Sequence, residues 1–167
     1  MKFSFSIVSL LVFFLSYLHA KIEGPLDFTP PEGASVSYNG VGGIEMYSID
    51  SADLEQTMML TKIPGGAAMD QETLLKAMTG TFVTHIKAQE KLVGKLSQEN
   101  PKVENFKGGL FSGKYVHFTL TSEILSSIEH TIFYLLSDGK ETWNATVTGN
   151  KGWVAECEKL LASLKKE

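Results

Sequence analysis

A few side chains in this sequence have the means to do chemistry: His85, His117, His130, Cys157 and the acidic triplet Asp50, Asp53 and Glu55. His117 and His130 fall on consecutive strand patterns, and two facing imidazoles could hold a metal ion. Register decides whether they face each other. Setting His117 opposite His130 would place Phe118 against Glu129 and Thr119 against Ile128. Setting Phe118 opposite His130 places Val116 against Ile132 and Leu120 against Ile128. The second register gathers the apolar residues on one face, and burial selects it. It sends the two histidines to opposite faces. No cysteine or further histidine completes the compact four-ligand set that structural zinc wants, so no metal site is expected. His85 falls mid-helix beside Ile86 and reads as a helix-surface residue.

Cys157 is the sole cysteine. It lies three residues from both Val154 and Leu160, on the apolar stripe of a C-terminal helix pattern, where a thiol acts as a small buried hydrophobe. Reactive thiols sit near positive charge or helix N-termini, whereas Glu156 and Glu158 flank this one. Asp50, Asp53 and Glu55 lack the positions 1, 3, 5, 6 and 12 of a calcium-binding EF-hand loop and read as a solvated hairpin tip. Gly40-Val41-Gly42-Gly43 is followed by a strand pattern rather than a helix, so it is a turn and not a dinucleotide fingerprint. Gly109-Leu110-Phe111-Ser112-Gly113 is not a nucleophile elbow. No catalytic residue, cofactor site or metal site is expected.

The chain has 167 residues. Met1-Lys2, the apolar run Phe3 to Leu18, and the small residue Ala20 have the layout of a secretory signal peptide with cleavage before Lys21. The run is shorter than the roughly 20 residues a membrane-spanning helix needs, so no stable membrane insertion is expected after cleavage. The residues from Lys21 onward hold 14 lysines against 19 acids, a net charge of −5, and no arginine. That balance speaks against nucleic acid or anionic membrane as a partner. One thiol leaves no internal disulfide, so stability rests on the core. Asn144-Ala145-Thr146 matches a glycosylation sequon. The short positive start, the missing disulfides and the lysine bias suit a bacterial periplasmic or secreted protein.

Residues 21–35 carry three of the five prolines and read as an extended strap before a single domain spanning 36–167. Within that domain, strands are expected over Ser35–Tyr38, Ile44–Ile49 and Gln56–Ile63. A helix follows, capped by Asp70 with Met69 and Leu74 as a hydrophobic staple and with Leu75, Met78, Phe82 and Ile86 at helical spacing. Further strands cover Val103–Phe106, Lys114–Thr121, Ile128–Leu136 and Thr142–Thr148. Asp138-Gly139 predicts a two-residue type I′ hairpin turn, which would set Tyr134 opposite Trp143 and Ile132 opposite Ala145. A final helix spans about Gly152 to Lys165, with Lys165 and Lys166 at the negative end of its dipole. The order of elements predicts an α+β domain, an antiparallel sheet packed with two helices.

The ending ETWNATVTGNKGWVAECEKLLASLK and the early FTPPEG (Phe28 to Gly33) resemble the PsbP/Mog1/DcrB-like group. Its domains close with an aromatic-centred strand, here Trp143 to Thr148, then a Thr-Gly stop and a helix whose last turn is Ser163-Leu164-Lys165. The resemblance implies an α/β sandwich and an exported accessory or binding role, mostly without catalysis. It transfers no site residues.

The functional expectation is an exported, non-enzymatic domain of the cell envelope that binds another protein, for example an immunity-type protein that blocks a toxin. Its partner surface is expected on a sheet face bearing Tyr115, His117 and Thr119 together with Phe133, Leu135, Asn144 and Thr146, or else on the Asp50–Glu55 loop. The alternative is a carrier of a small apolar ligand or lipid, its pocket lined by Met46, Met58, Met59, Met69 and Met78.

Overall fold

A computed structural model describes residues 23–65, 70–122 and 127–166. The apolar leader, its cleavage point and Met69 of the staple lie outside the described residues. Chain reversals at Gly- and Asp-rich turns lay eight strands into one antiparallel sheet. They are β2 (Ser35–Asn39), β3 (Met46–Asp50), β4 (Thr57–Ile63), β5 (Lys95–Leu96), β6 (Glu104–Gly108), β7 (Phe111–Ser122), β8 (Ser127–Ser137) and β9 (Thr142–Gly149). Their order is β2-β3-β4-β9-β8-β7-β5, with β6 also paired to β7. Two helices, α1 (Gln71–Val93) and α2 (Lys151–Ser163), pack on opposite faces of this sheet. The fold is the α+β domain, an antiparallel sheet packed with two helices, that the element order predicts.

Each helix starts where a side chain satisfies a free N–H. The Asp70 carboxylate accepts from the Thr73 backbone N–H at 2.8 Å, and the Asn150 amide oxygen accepts from Trp153 N–H at 3.0 Å, the cap geometry that short polar residues supply. The apolar stripe of α1, with Leu75 and Ile86 enclosed and Met78 and Phe82 partly so, closes over Val116, Phe118, Leu120, Phe133 and Leu135. The Phe82 ring centre lies 5.0 Å from Phe118 and 5.2 Å from Phe133. On the other face, α2 lays Trp153, Val154, Cys157, Leu160 and Leu161 over Tyr47, Leu60, Ile132, Tyr134, Trp143 and Ala145. Each large side chain enclosed this way contributes about 1.5–3 kcal/mol.

The strap before β2 finishes the larger core. Leu26 and Phe28 are buried. The Leu26 N–H donates to the Tyr47 hydroxyl at 2.9 Å, and the Phe28 ring meets Tyr47 edge-on at 5.4 Å. Leu26–Asp27 forms a short strand, β1, and pairs with Lys165–Lys166, β10, after α2. This corrects the expected helix end. Helix α2 stops at Ser163, and Lys165 and Lys166 serve a strand and an ion-pair cluster instead of the helix dipole. The Lys166 ammonium binds Asp138 and, at 2.9 Å, Glu141, both in the loop joining β8 to β9.

Candidate functional site

The pairing of β7 with β8 differs from the expected register by one residue. Val116 lies opposite Phe133, His117 opposite Ile132, and Thr119 opposite His130. Because side chains alternate with period two, one step exchanges the faces of one strand relative to the other. The expected partner surface is thereby divided. Phe133 and Leu135 share the α1 side with Val116 and Phe118, and both are buried in that core. Tyr115 and His117 stand on the opposite side, with Tyr134, Ile132 and His130. Asn144 and Thr146 fall on Phe133's side, not with Tyr115.

The reason is visible in β8. Its run Thr131 to Leu136 is buried throughout, because helices cover both faces there. A strand enclosed on two sides carries no alternation from which to read register. The β8–β9 turn departs too. Ser137 pairs with Thr142, leaving four loop residues, 138–141, instead of two. The Asp138 carboxylate accepts from the N–H groups of Lys140 and Glu141 at 2.9 and 2.8 Å, and Gly139 takes φ +87°. This side-chain turn displaces the tighter one. Tyr134 thus lies opposite Ala145 and Ile132 opposite Val147, a shift of two that keeps the faces unchanged.

On the α2 side, the half-buried edge of the sheet gathers six polar and aromatic groups. His117 Nε2 lies 2.9 Å from His130 Nδ1, so one ring donates and the other accepts. Burial, and then His130, holds the His117 imidazole below its ordinary pKa. The Tyr115 hydroxyl donates to Glu104 at 3.1 Å. The Tyr134 hydroxyl donates to Glu158 at 3.1 Å, and the two tyrosine rings stack with centres 5.4 Å apart. Burial, and then Glu104, raises the Tyr115 pKa, and burial, and then Glu158, raises that of Tyr134, so both phenols stay protonated donors. Among the described residues, no group of three or more His, Cys, Asp or Glu is placed to hold a metal. His85 is exposed on α1, as expected.

Cys157 is fully buried. Burial and then the charges of Glu156 and Glu158 push its thiol up to about 12, which removes the thiolate a nucleophile requires.

A second surface holds Asn144 and Thr146 of the expected partner face, joined by β4 residues which that expectation did not include. Helix α1 packs on β5, β7 and β8, and the neighbouring half of that sheet side is half-exposed or exposed. There Thr57, Met59 and Thr61 of β4 stand beside Thr148, Thr146 and Asn144 of β9. Ser48 and Asp50 of β3 continue the surface. Met59 is 42% exposed, whereas Met58, facing the core, is 0% exposed. The signal was present as strict alternation, polar at Asn144, Thr146 and Thr148 and apolar at Trp143, Ala145 and Val147. One side of that alternation marks the core, and the other marks an uncovered face.

The Asp50–Glu55 loop borders this surface. Asp50 accepts from the Ser48 hydroxyl at 3.0 Å, and Asp53 accepts from the Ser51 hydroxyl and from Glu55 N–H. Those bonds, Ser51 first, hold the Asp53 carboxyl below its ordinary pKa. At the tip Leu54 is 75% exposed with φ +61°, a backbone region that costs a branched side chain on the order of 1 kcal/mol or more. The four described methionines of the expected pocket do not converge. Met58 is in the α2-side core, Met78 lies on the sheet side of α1, and Met46 and Met59 belong to the open surface.

No protein-family model matches the sequence, and no curated protein matches it. A crystal structure of a protein from Bacteroides thetaiotaomicron VPI-5482 is similar at a TM-score of 0.49 with 13% identity. The match covers 87% of the present chain and 49% of the other, so this chain spans about half that protein's length.

Proposed function

We propose that this protein is an exported, non-enzymatic binding domain that recognises another protein through the open half of its sheet and the acidic loop beside it. The observation that carries the reading is the β4–β9 surface, where half-buried Thr57, Thr61, Asn144, Thr146 and Thr148 lie side by side around the exposed Met59 on a rigid ladder. On the opposite side of the same strands Met58, Leu60, Trp143, Ala145 and Val147 are buried and supply the core, a role the residues of this surface do not share. Hydroxyl, amide and thioether groups around an exposed apolar tip suit a protein interface, whose centre is depleted in charge and enriched in methionine and aromatics. Asp50, Asp53 and Glu55 on the rim favour a partner with lysine or arginine on its contacting surface and would speed encounter with it. An immunity-type role, the domain occluding a basic toxin, is the concrete form of this reading.

A photo-crosslinking residue at position 59 or 146 in the native host tests this. It should capture one protein that, once purified, binds the wild-type chain and fails to bind Thr146→Arg. A crosslinker at position 85 should capture nothing comparable. The reading fails if Thr146→Arg and Leu54→Asp, shown folded by circular dichroism, bind that protein as well as the wild type.

A further inference from the structure

The geometry points to a divalent transition-metal site at His117 and His130, on the opposite side of the sheet from the proposed partner surface and independent of it. The expected register had separated these residues. The observed register makes them diagonal neighbours on one face, His117 opposite Ile132 and His130 opposite Thr119, within reach for ring side chains. Their nearest nitrogens are 2.9 Å apart. Two imidazole nitrogens bound to one zinc ion at about 2.0–2.1 Å and a tetrahedral angle stand roughly 3.3 Å apart. The rings therefore need to part by a few tenths of an ångström and turn their lone pairs toward a shared point. No strand has to move, because both residues sit in the longest ladder of the sheet, eleven registered pairs between β7 and β8.

Two carboxylates, Glu158 on α2 and Glu104 on β6, act on His117 in the direction that favours positive charge, against the larger opposing effects of burial and of His130. Both rings are half-buried, so one side of the pair opens to water, which fills the remaining coordination positions. Glu158 already accepts from Tyr134 and Glu104 from Tyr115, which keeps both carboxylates in the outer shell. With two protein ligands, the site is open and exchangeable, unlike a closed structural zinc.

Zinc chloride titrated into the untagged protein in a non-coordinating buffer at neutral pH tests the assignment. Calorimetry should show one ion per chain. His117→Gln and His130→Gln should each weaken binding at least tenfold, and His85→Ala should leave it unchanged. In NMR spectra of the wild-type chain, the ring signals of His117 and His130 should shift with zinc while those of His85 do not. That readout needs no variant, so it stands even if a substitution unfolds the sheet. Absence of binding by the wild-type chain overturns the assignment, as does shifting of His85 in place of the pair. Equal binding by folded His117→Gln and wild type overturns it as well.

Discussion

Met58 and Met59 are consecutive residues of β4 that face opposite sides of the sheet, one fully enclosed against the α2-side core and the other 42% exposed beside Thr146. The contrast locates the boundary between what holds the fold together and what is free to bind. It makes a paired stability prediction. Met58→Ala should cost about 2–5 kcal/mol, the usual range for a buried methionine truncation. Met59→Ala should stay within about 0.5 kcal/mol of wild type. Urea unfolding of the two variants checks this, and equal costs would place both side chains in similar surroundings.

Trp143 is 0% exposed on the α2 side of β9. Its ring centre lies 6.2 Å from that of Tyr47. Trp143→Ala should cost about 3–5 kcal/mol, measured by urea unfolding. Cys157 should react with a thiol reagent under native conditions far more slowly than in denaturant, because burial raises its pKa to about 12 and blocks access. Rapid native labelling would contradict its position in the core.

Gly113 occupies a β7 position opposite Leu136. A Cβ there would come within 1.8 Å of the Leu135 carbonyl oxygen, a backbone atom that cannot swing aside. Gly113→Ala should therefore open the β7–β8 ladder and cost about 3 kcal/mol, the upper end of the usual range for overpacked cores. Thermal unfolding by circular dichroism checks it. Gly80, exposed inside α1 with open space around its Cα, gives the opposite result. Gly80→Ala should stabilise by up to about 1 kcal/mol.

The β8–β9 loop should set an acid limit on stability. Burial pushes the Asp138 carboxyl up, but Lys166 and the N–H groups of Glu141 and Lys140 outweigh it and hold the group well below the carboxylate range. Lys166, then Lys62, likewise lowers Glu141. A carboxyl with a depressed folded pKa adds stability that is fully present above its unfolded value near 4 and is lost as pH falls through the folded one. Asp138→Asn should thus lower stability at pH 7 by about 1–3 kcal/mol and flatten the decline below pH 4. An unchanged acid slope would show that the Lys166 clamp does not bridge the end of the chain to the loop.

How much was legible follows from where burial is one-sided. In β9 the alternation of Trp143, Ala145 and Val147 with Asn144, Thr146 and Thr148 announces a half-covered strand, and its core side was read as it stands in the fold. The caps Asp70 and Asn150 mark helix starts because the backbone there needs an acceptor; Asp70 is legible from the helical spacing that follows it, whereas Asn150 directly follows the last residue of β9 and shows itself as a cap in the fold. In β8, helices on both sides make every residue from Thr131 to Leu136 apolar or buried, so local sequence could not choose among registers one residue apart. That ambiguity hid the His117–His130 contact and joined Phe133 to Tyr115 on one face. Asp138-Gly139 misled for a different reason. The Asp138 side chain is needed to accept two loop N–H groups and to meet Lys166, a partner 28 positions away that no local pattern shows. The open sheet half was written in the alternation of β4 and β9, but it became recognisable once α1 was seen to pack on β5, β7 and β8.

The most direct test of the central claim is hydroxyl-radical footprinting of the methionines, read by mass spectrometry, with and without the captured partner. In the free protein, Met59 should oxidise readily and Met58 should resist, as their exposures require. In the complex, Met59 should become protected while Met58 stays unreactive and the exposed tip of α1 near Leu92, 74% exposed, keeps its reactivity. A complex in which Met59 oxidises at the free-protein rate would contradict the assignment of the open sheet half as the binding surface.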